Sequence, residues 1–421
     1  MRRFDPGQPR YRHALLILVG CLMQPVVLAH AGDAAPASPL PTSVPLAAAP
    51  TRSSLPPPAK ALNALPWLQG STHVHAAPSG DSSTSVPKVI AWYEQHGYDF
   101  IVLTDHNRVT EAKLGADTKG KPYVRNPDKG LIVLAGVELT NNPDNCDPPA
   151  SGASNGANER TLGAGSPPKC RIHVNGIGVT ERPSGKIAWA AHKEPARIVK
   201  YAKAIATIRK LGRKALVQLN HPQWHWGMTA PVLEATVRGG ARLVEIANVQ
   251  FATWNAGDAE HPSMEVLWDG VLQKGLTAWA IASDDAHDYD DGGGKYPPGG
   301  GFVVVNARRK PAEILAALRA GKFYASTGVL LSKLHVVDGV LTVEVATMQP
   351  AAGPKNGANE RTLGAGATKI EFIEDGKVVA TIDGNAASRA VPSHGYLRAT
   401  ITRSDGAKAW VQPQRAALKR K

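Results

Sequence analysis

Short apolar runs that stop at a histidine or an acid constrain this chain more than any other feature of its sequence. Ile101-Val102-Leu103 leads into Thr104-Asp105-His106, and Leu131 to Ala135 leads into Gly136-Val137-Glu138. Ala215 to Leu219 ends in Asn220-His221-Pro222, and Thr277 to Ala282 ends in Ser283-Asp284-Asp285-Ala286-His287. His73-Val74-His75 and Arg171-Ile172-His173-Val174 complete the series. Apolar runs of this length are buried-strand signals. Helical stretches lie among them at Val86 to His96, Arg197 to Leu211 and Pro311 to Ala320, the last opened by its proline and closed by Gly321. This alternation, with another strand signal at Leu243 to Ala247, predicts an α/β fold with a parallel sheet or barrel. The strand ends of such a fold converge on one mouth, where binding sites form.

The chemistry follows from what those ends carry. Residues two apart on a strand face the same way, so His73 and His75 can address one metal ion. A single His-x-His pair is a weak signal in a chain with 14 histidines. A lone strand-end histidine is more often a satisfied structural one. Six strand-end positions in series are different, because burying so many imidazole and carboxylate edges without a shared partner is costly. They predict a metal site. Mixed nitrogen and oxygen donors suit Zn, Mn or Fe and do not distinguish them.

The rest of the chain frames that core. Arg2, Arg3, Arg10, Arg12 and His13 precede the apolar run Ala14 to Val19, and Ala29-His30-Ala31 fits a cleavage site, so residues 1–31 predict a signal peptide and an exported, periplasmic or secreted protein. Leu18-Val19-Gly20-Cys21 also resembles a lipobox, which would anchor the protein through Cys21. Export leaves Cys146 and Cys170 as an even pair for a disulfide bracketing a Gly/Ser/Pro/Asn-rich insert at 141–172; two unpaired thiols are the alternative. Residues 32–65 are Ala/Pro/Ser-rich and predict a flexible linker. Beyond Gly328 the strands alternate with turns at Asp338-Gly339, Asp375-Gly376, Asp383-Gly384 and Asp405-Gly406, which predicts a small all-β, sandwich-like domain over 331–421. Asn155 to Gly165 recurs identically at Asn356 to Gly366, too short for a solenoid. The net charge of +13 forms no long basic block, so it favours small anionic substrates and no nucleic-acid partner is expected. No apolar run approaches the roughly 18 residues of a membrane span.

The order HxH, Asp, TDH, GxE, His, NHP and DxH resembles the polymerase-and-histidinol-phosphatase (PHP) superfamily of metal-dependent phosphoesterases. Ala282-Ser283-Asp284-Asp285-Ala286-His287-Asp288 and Gly321 to Gly328 are similar to its CehA/McbA branch, named after a carbamate hydrolase. The resemblance covers roughly residues 68–330 and implies a distorted (β/α)7 barrel over 66–330 holding two to three divalent metal ions. The ligands it implies are His73, His75, Asp81, His106, Glu138, His173, His221, Asp285 and His287, with Glu138 bridging two metals. The family's usual Ser-Asp-Gly reads Ser79-Gly80-Asp81-Ser82 here, which puts Asp81 in doubt.

Such a site implies a metal-activated hydroxide as nucleophile. Asp284 or His225 could protonate the leaving group. The plainer expectations are that Asp284 orients a ligand imidazole and that His225 is exposed at the rim. Trp224 and Trp226 could form an aromatic lip over the site or simply pack on a neighbouring loop. Gly292 to Gly301 could be a lid presenting Lys295. The expected activity is hydrolysis of a phosphoester. Carbamate or carboxylic-ester hydrolysis by the same site, or a non-catalytic surface-binding role, are the alternatives.

Overall fold

The computed structural model describes residues 65–111, 130–142, 171–191, 196–290, 296–350, 361–363 and 368–416. Residues 1–64, which hold the expected signal peptide and nearly all of the expected linker, all three cysteines, Gly292 to Lys295 and the first copy of the repeat lie outside the described residues. In chain order the strands and helices are β1 (Trp67–Val74), α1 (Val86–Gln95), β2 (Phe100–Leu103), β3 (Ile132–Asn141), β4 (Ile172–Ile177), α2 (Arg197–Leu211), β5 (Leu216–Leu219), α3 (Ala230–Gly239) and β6 (Leu243–Asn248). They continue with α4 (Ala252–Ala256), α5 (Met264–Gln273), β7 (Trp279–Ser283), β8 (Phe302–Asn306), α6 (Pro311–Ala320) and β9 (Phe323–Ser326). The remaining elements are strands: β10 (Leu331–Val337), β11 (Val340–Val345), β12 (Met348–Pro350), β13 (Arg361–Leu363), β14 (Thr368–Glu374), β15 (Lys377–Asp383), β16 (Ala386–Ala390), β17 (Leu397–Arg403) and β18 (Lys408–Gln414).

The fold is mixed α/β. Thirteen strands form one sheet in the order β15-β14-β17-β18-β9-β8-β1-β2-β3-β4-β5-β6-β7, and β10-β11-β16 form a separate antiparallel sheet. The expectation of a parallel sheet needs correction. β1-β2-β3 and β5-β6-β7 are parallel sets, but β4 runs antiparallel to both β3 and β5. Hydrophobic patterning specifies which residues are buried but not which way a strand runs, so the reversal left no mark in the sequence. It matters for the site: reversing β4 brings its N-terminal end, with His173, to the end where β3 and β5 finish. Thr140 stands opposite His173, and the backbone N–H of Asn220 donates to the His173 carbonyl at 3.2 Å.

Packing fixes the strands rigidly behind that end. Leu68, Phe100, Val102, Ile281, Val303 and Phe323 are buried together, and α6 closes over them with Ile314 and Leu318. Gly70 of β1 lies against the Phe100 ring of β2, so that any Cβ there would collide with it. The amphipathic helices α2, α3 and α5 bury Tyr201, Leu233 and Trp268 in a second cluster. The C-terminal strands continue the main sheet, because β9 pairs with β8 on one side and β18 on the other. Asp338-Gly339 joins β10 to β11 with φ of 50° and 75°, the positive pair that a tight hairpin turn requires. The second copy of the repeat contributes Arg361–Leu363, paired as β13 with β12. No helix among the described residues is long and apolar enough to cross a membrane.

Candidate metal centre

The nine residues that the family resemblance implies as ligands converge at one end of the sheet. His73 is the second-last residue of β1, and His75 follows the strand directly. His106, just beyond β2, bridges Glu138 in β3, where the backbone N–H of Asn107 donates to the Glu138 carbonyl at 2.6 Å. His221 follows β5 by two residues; Asp285 and His287 follow β7. Asp81 comes from the turn after β1. Four overlapping sets bring their donor atoms within 4.8 Å of one another: His75/Asp81/His106/His287, His73/Glu138/His221, His73/His75/Asp285 and His106/Glu138/His173. All are buried or nearly so except Asp81, whose side chain is 47% exposed and so marks the open side.

The contacts are those of lone pairs aimed at a common centre. Asp285 Oδ1 lies 2.9 Å from His73 Nε2 and 3.1 Å from His75 Nε2, and Glu138 Oε2 lies 2.7 Å from His106 Nδ1. Yet His75 Nε2, His106 Nδ1, His221 Nε2, Glu138 Oε2 and Asp285 Oδ1 are buried polar atoms whose geometry satisfies no hydrogen bond. Left unpaired, such atoms are expensive to bury. The donor set fits a divalent cation, which would satisfy them together.

The protonation pattern shows the same crowding. Burial and then the His287 charge hold His75 down to about 3, while burial and His173 hold His221 down to about 4. Burial opposes the charge on His73, yet Asp285, Glu245 and Glu138 hold its pKa well above the usual value. Burial likewise opposes His106, which Glu138 and Asp81 push up to about 10. Glu138 and Asp285 stay well below the carboxylate range despite burial, because the surrounding imidazoles favour their charge. Adjacent histidines are thus driven in opposite directions. Groups packed this closely and driven this way cannot share protons comfortably, and positive charge from a metal would replace those protons.

A set of neighbours orients the donors. Asn220 Nδ2 donates to Glu138 Oε1 at 2.7 Å and to Asn175 Oδ1 at 2.8 Å. Asp105, fully buried and pushed up to about 6 by burial, accepts from Thr110 Oγ1 and, at 2.7 Å, from the backbone N–H of Ala76. Glu245, in the middle of β6, accepts from His73 Nδ1 at 2.7 Å. Sequence reasoning passed over Glu245. Its signal was an acid inside the otherwise apolar run Leu243 to Ala247.

Asp284 and His225 are not in the donor groups. Asp284 is fully buried, its Oδ2 accepts from the Gly299 backbone N–H at 2.6 Å, and burial pushes it up to about 7. His225, expected at an exposed rim, is only 1% exposed and stacks at 5.2 Å on Trp224. Trp224 itself is half-buried beside the site, edge-on to His173 and His221 at 5.5 and 5.1 Å, with the Arg171 guanidinium 4.9 Å from its ring centre. Phe251 stacks on His221 at 4.2 Å. Trp226 instead packs on the His261 ring. Cys146, Cys170 and Lys295 lie outside the described residues. No family model matches the chain, and no curated protein matches it.

Proposed function

We propose that this protein is a metal-dependent hydrolase of the PHP type, acting on a small anionic phosphoester. The observation that carries the reading is the convergence of nine imidazole and carboxylate side chains from six strands and the turns that follow them, with buried donor atoms left unsatisfied. In this reading β1 to β7 form a distorted (β/α)7 barrel. The parallel bridge between Val74 and Ala286 supports its closure, since it joins the end of β1 to the segment after β7.

Two or three divalent ions, Zn, Mn or Fe, would be held by His73, His75, Asp81, His106, Glu138, His173, His221, Asp285 and His287. Bound there, they supply Lewis acidity toward a phosphoryl oxygen and lower the pKa of water. The chain's own residues do the positioning. Glu138 stands between the His73/His221 and His106/His173 groups, so its two oxygens can serve both. Partly exposed Asp81 lies on the side from which substrate enters. Trp224, with Arg171 over its ring, lines the site beside His173 and His221 with an aromatic surface and a positive charge, which suits an anionic ester. Asp284 supports the loop at Gly299 and is not assigned a proton-transfer step. Export, through residues 1–31, belongs to the same reading.

Hydrolysis of a carbamate or other carbon ester is the second reading, favoured by the apolar faces of Trp224 and Phe251 beside His221. Metal analysis of the purified protein, followed by assay on bis-aryl phosphate, aryl phosphate and aryl carbamate, separates the readings. Phosphoester turnover with bound metal is expected. Turnover of carbamate alone selects the second reading, and a protein that binds no metal overturns both.

A further inference from the structure

We infer that Glu245 is a positioning residue that presets two of the metal-facing histidines from a single carboxylate; the inference rests on the metal-site reading above. Glu245 is wholly buried in β6, and both of its oxygens are occupied. Oε1 accepts from His73 Nδ1 at 2.7 Å, from Ser283 Oγ at 2.7 Å and from Gln218 Nε2 at 3.1 Å. Oε2 accepts from the backbone N–H of His221 at 2.6 Å and from Asn248 Nδ2 at 3.1 Å. These five donors come from β1, β5, the residues after β5, β6 and β7.

Two consequences follow from that geometry. Glu245 has no oxygen left to offer a cation, so it is not a tenth ligand. Its bond to Nδ1 fixes His73 in the tautomer that keeps the proton on Nδ1 and turns the Nε2 lone pair toward Glu138 and Asp285, at 3.3 and 2.9 Å. The second bond anchors the His221 backbone, whose φ of 27° is uncommon for a non-glycine residue. The carboxylate thus serves the His73/Glu138/His221 and His73/His75/Asp285 groups, whereas none of its five hydrogen bonds goes to the His75/Asp81/His106/His287 group.

The test uses the full mature chain. Wild type and Glu245→Gln are loaded with Zn, passed through gel filtration and analysed for metal content, with affinities from chelator competition. Glu245→Gln is expected to lose part of the metal, with about 10–100-fold weaker affinity for that part, while the remainder stays bound. Equal content and affinity in the two proteins overturns the inference, and so does uniform loss of all metal from a variant that folds. An empty wild type overturns the metal-site reading instead, which keeps the two failures apart. Should Glu245→Gln not fold, nitrogen-15 NMR of wild-type His73 decides. A proton on Nδ1 with Nε2 as the metal-facing atom supports the inference, and the opposite tautomer overturns it.

Discussion

The backbone N–H of His75 donates to the Ala286 carbonyl at 3.0 Å, tying the end of β1 to the segment beyond β7. Together with the Tyr289 hydroxyl, which donates to the carbonyls of His75 and Ala286, this bond sets the HxH and DxH pairs face to face. The His75 and His287 rings stack at 4.1 Å, and His73 Nε2 meets Asp285 Oδ1. Ala286 is fully buried at the junction, in the same apolar cluster as Val74 and Tyr289. Ala286→Leu should therefore cost about 1–3 kcal/mol of stability through overpacking and reduce metal content as well. Leu341→Ala, in the separate β10-β11-β16 sheet, should destabilise by about 2–5 kcal/mol and leave metal content unchanged. Denaturant melts and elemental analysis of both variants check the contrast.

Neighbouring acids should separate sharply. Asp285 reaches two imidazoles, whereas Asp284 faces Gly299. Asp285→Asn should lower metal content and abolish hydrolysis. Asp284→Asn keeps an oxygen for the Gly299 N–H and should retain full metal content, with stability changed by no more than about 1–2 kcal/mol. Metal loss from Asp284→Asn would mean the ligand is displaced by one residue.

What could be read from the sequence was whatever local pattern encodes. The limits Arg197–Leu211 and Pro311–Ala320 follow from helical period together with the Pro and Gly at the ends of the second. His106, Glu138, His221, Asp285 and His287 were legible because each follows an apolar run, and His73 and His75 because they form an HxH pair. Asp81 carried no such local mark and came only with the family resemblance. Direction was not legible: nothing in Ile172–Ile177 shows that β4 runs backward. Nor was Glu245, whose importance lies in donors up to 172 positions away in sequence. The burial of His225 was hidden for a similar reason, since its packing partner Trp254 comes from a different helix.

Removing metal should destabilise the fold, because the unsatisfied donors are buried in the native state and solvated in the unfolded one. A ligand bound only by the native state, at a free concentration of 1,000 times its Kd, adds about 4 kcal/mol. Chelation with EDTA should lower the melting temperature, and adding back Zn or Mn should restore it. A melting temperature indifferent to chelator in a metal-loaded sample would contradict this.

Away from the site, a buried ion pair ties the C-terminal strands to α5, with Glu265 of the same helix 3.4 Å from Arg398 Nη1. Arg398 of β17 reaches Asp269 of α5 with Nε at 2.7 Å and Nη2 at 2.6 Å, and Tyr396 Oη donates to the same carboxylate at 2.6 Å. Arg398 is 3% exposed, and its guanidinium lies 4.9 Å from the Trp268 ring centre. Burial opposes its charge, yet the hydrogen bonds and charge of Asp269 hold its pKa above the ordinary guanidinium value. Asp269→Ala should cost about 3–5 kcal/mol, since it leaves the buried Arg398 with only the longer Glu265 contact at 3.4 Å. Arg398→Met in the same background should recover part of that loss by removing the stranded charge. A double-mutant cycle in urea measures the coupling, and metal content should stay at the wild-type level in all three variants. Additive losses, with no recovery in the double variant, would show that the pair does not act as a unit.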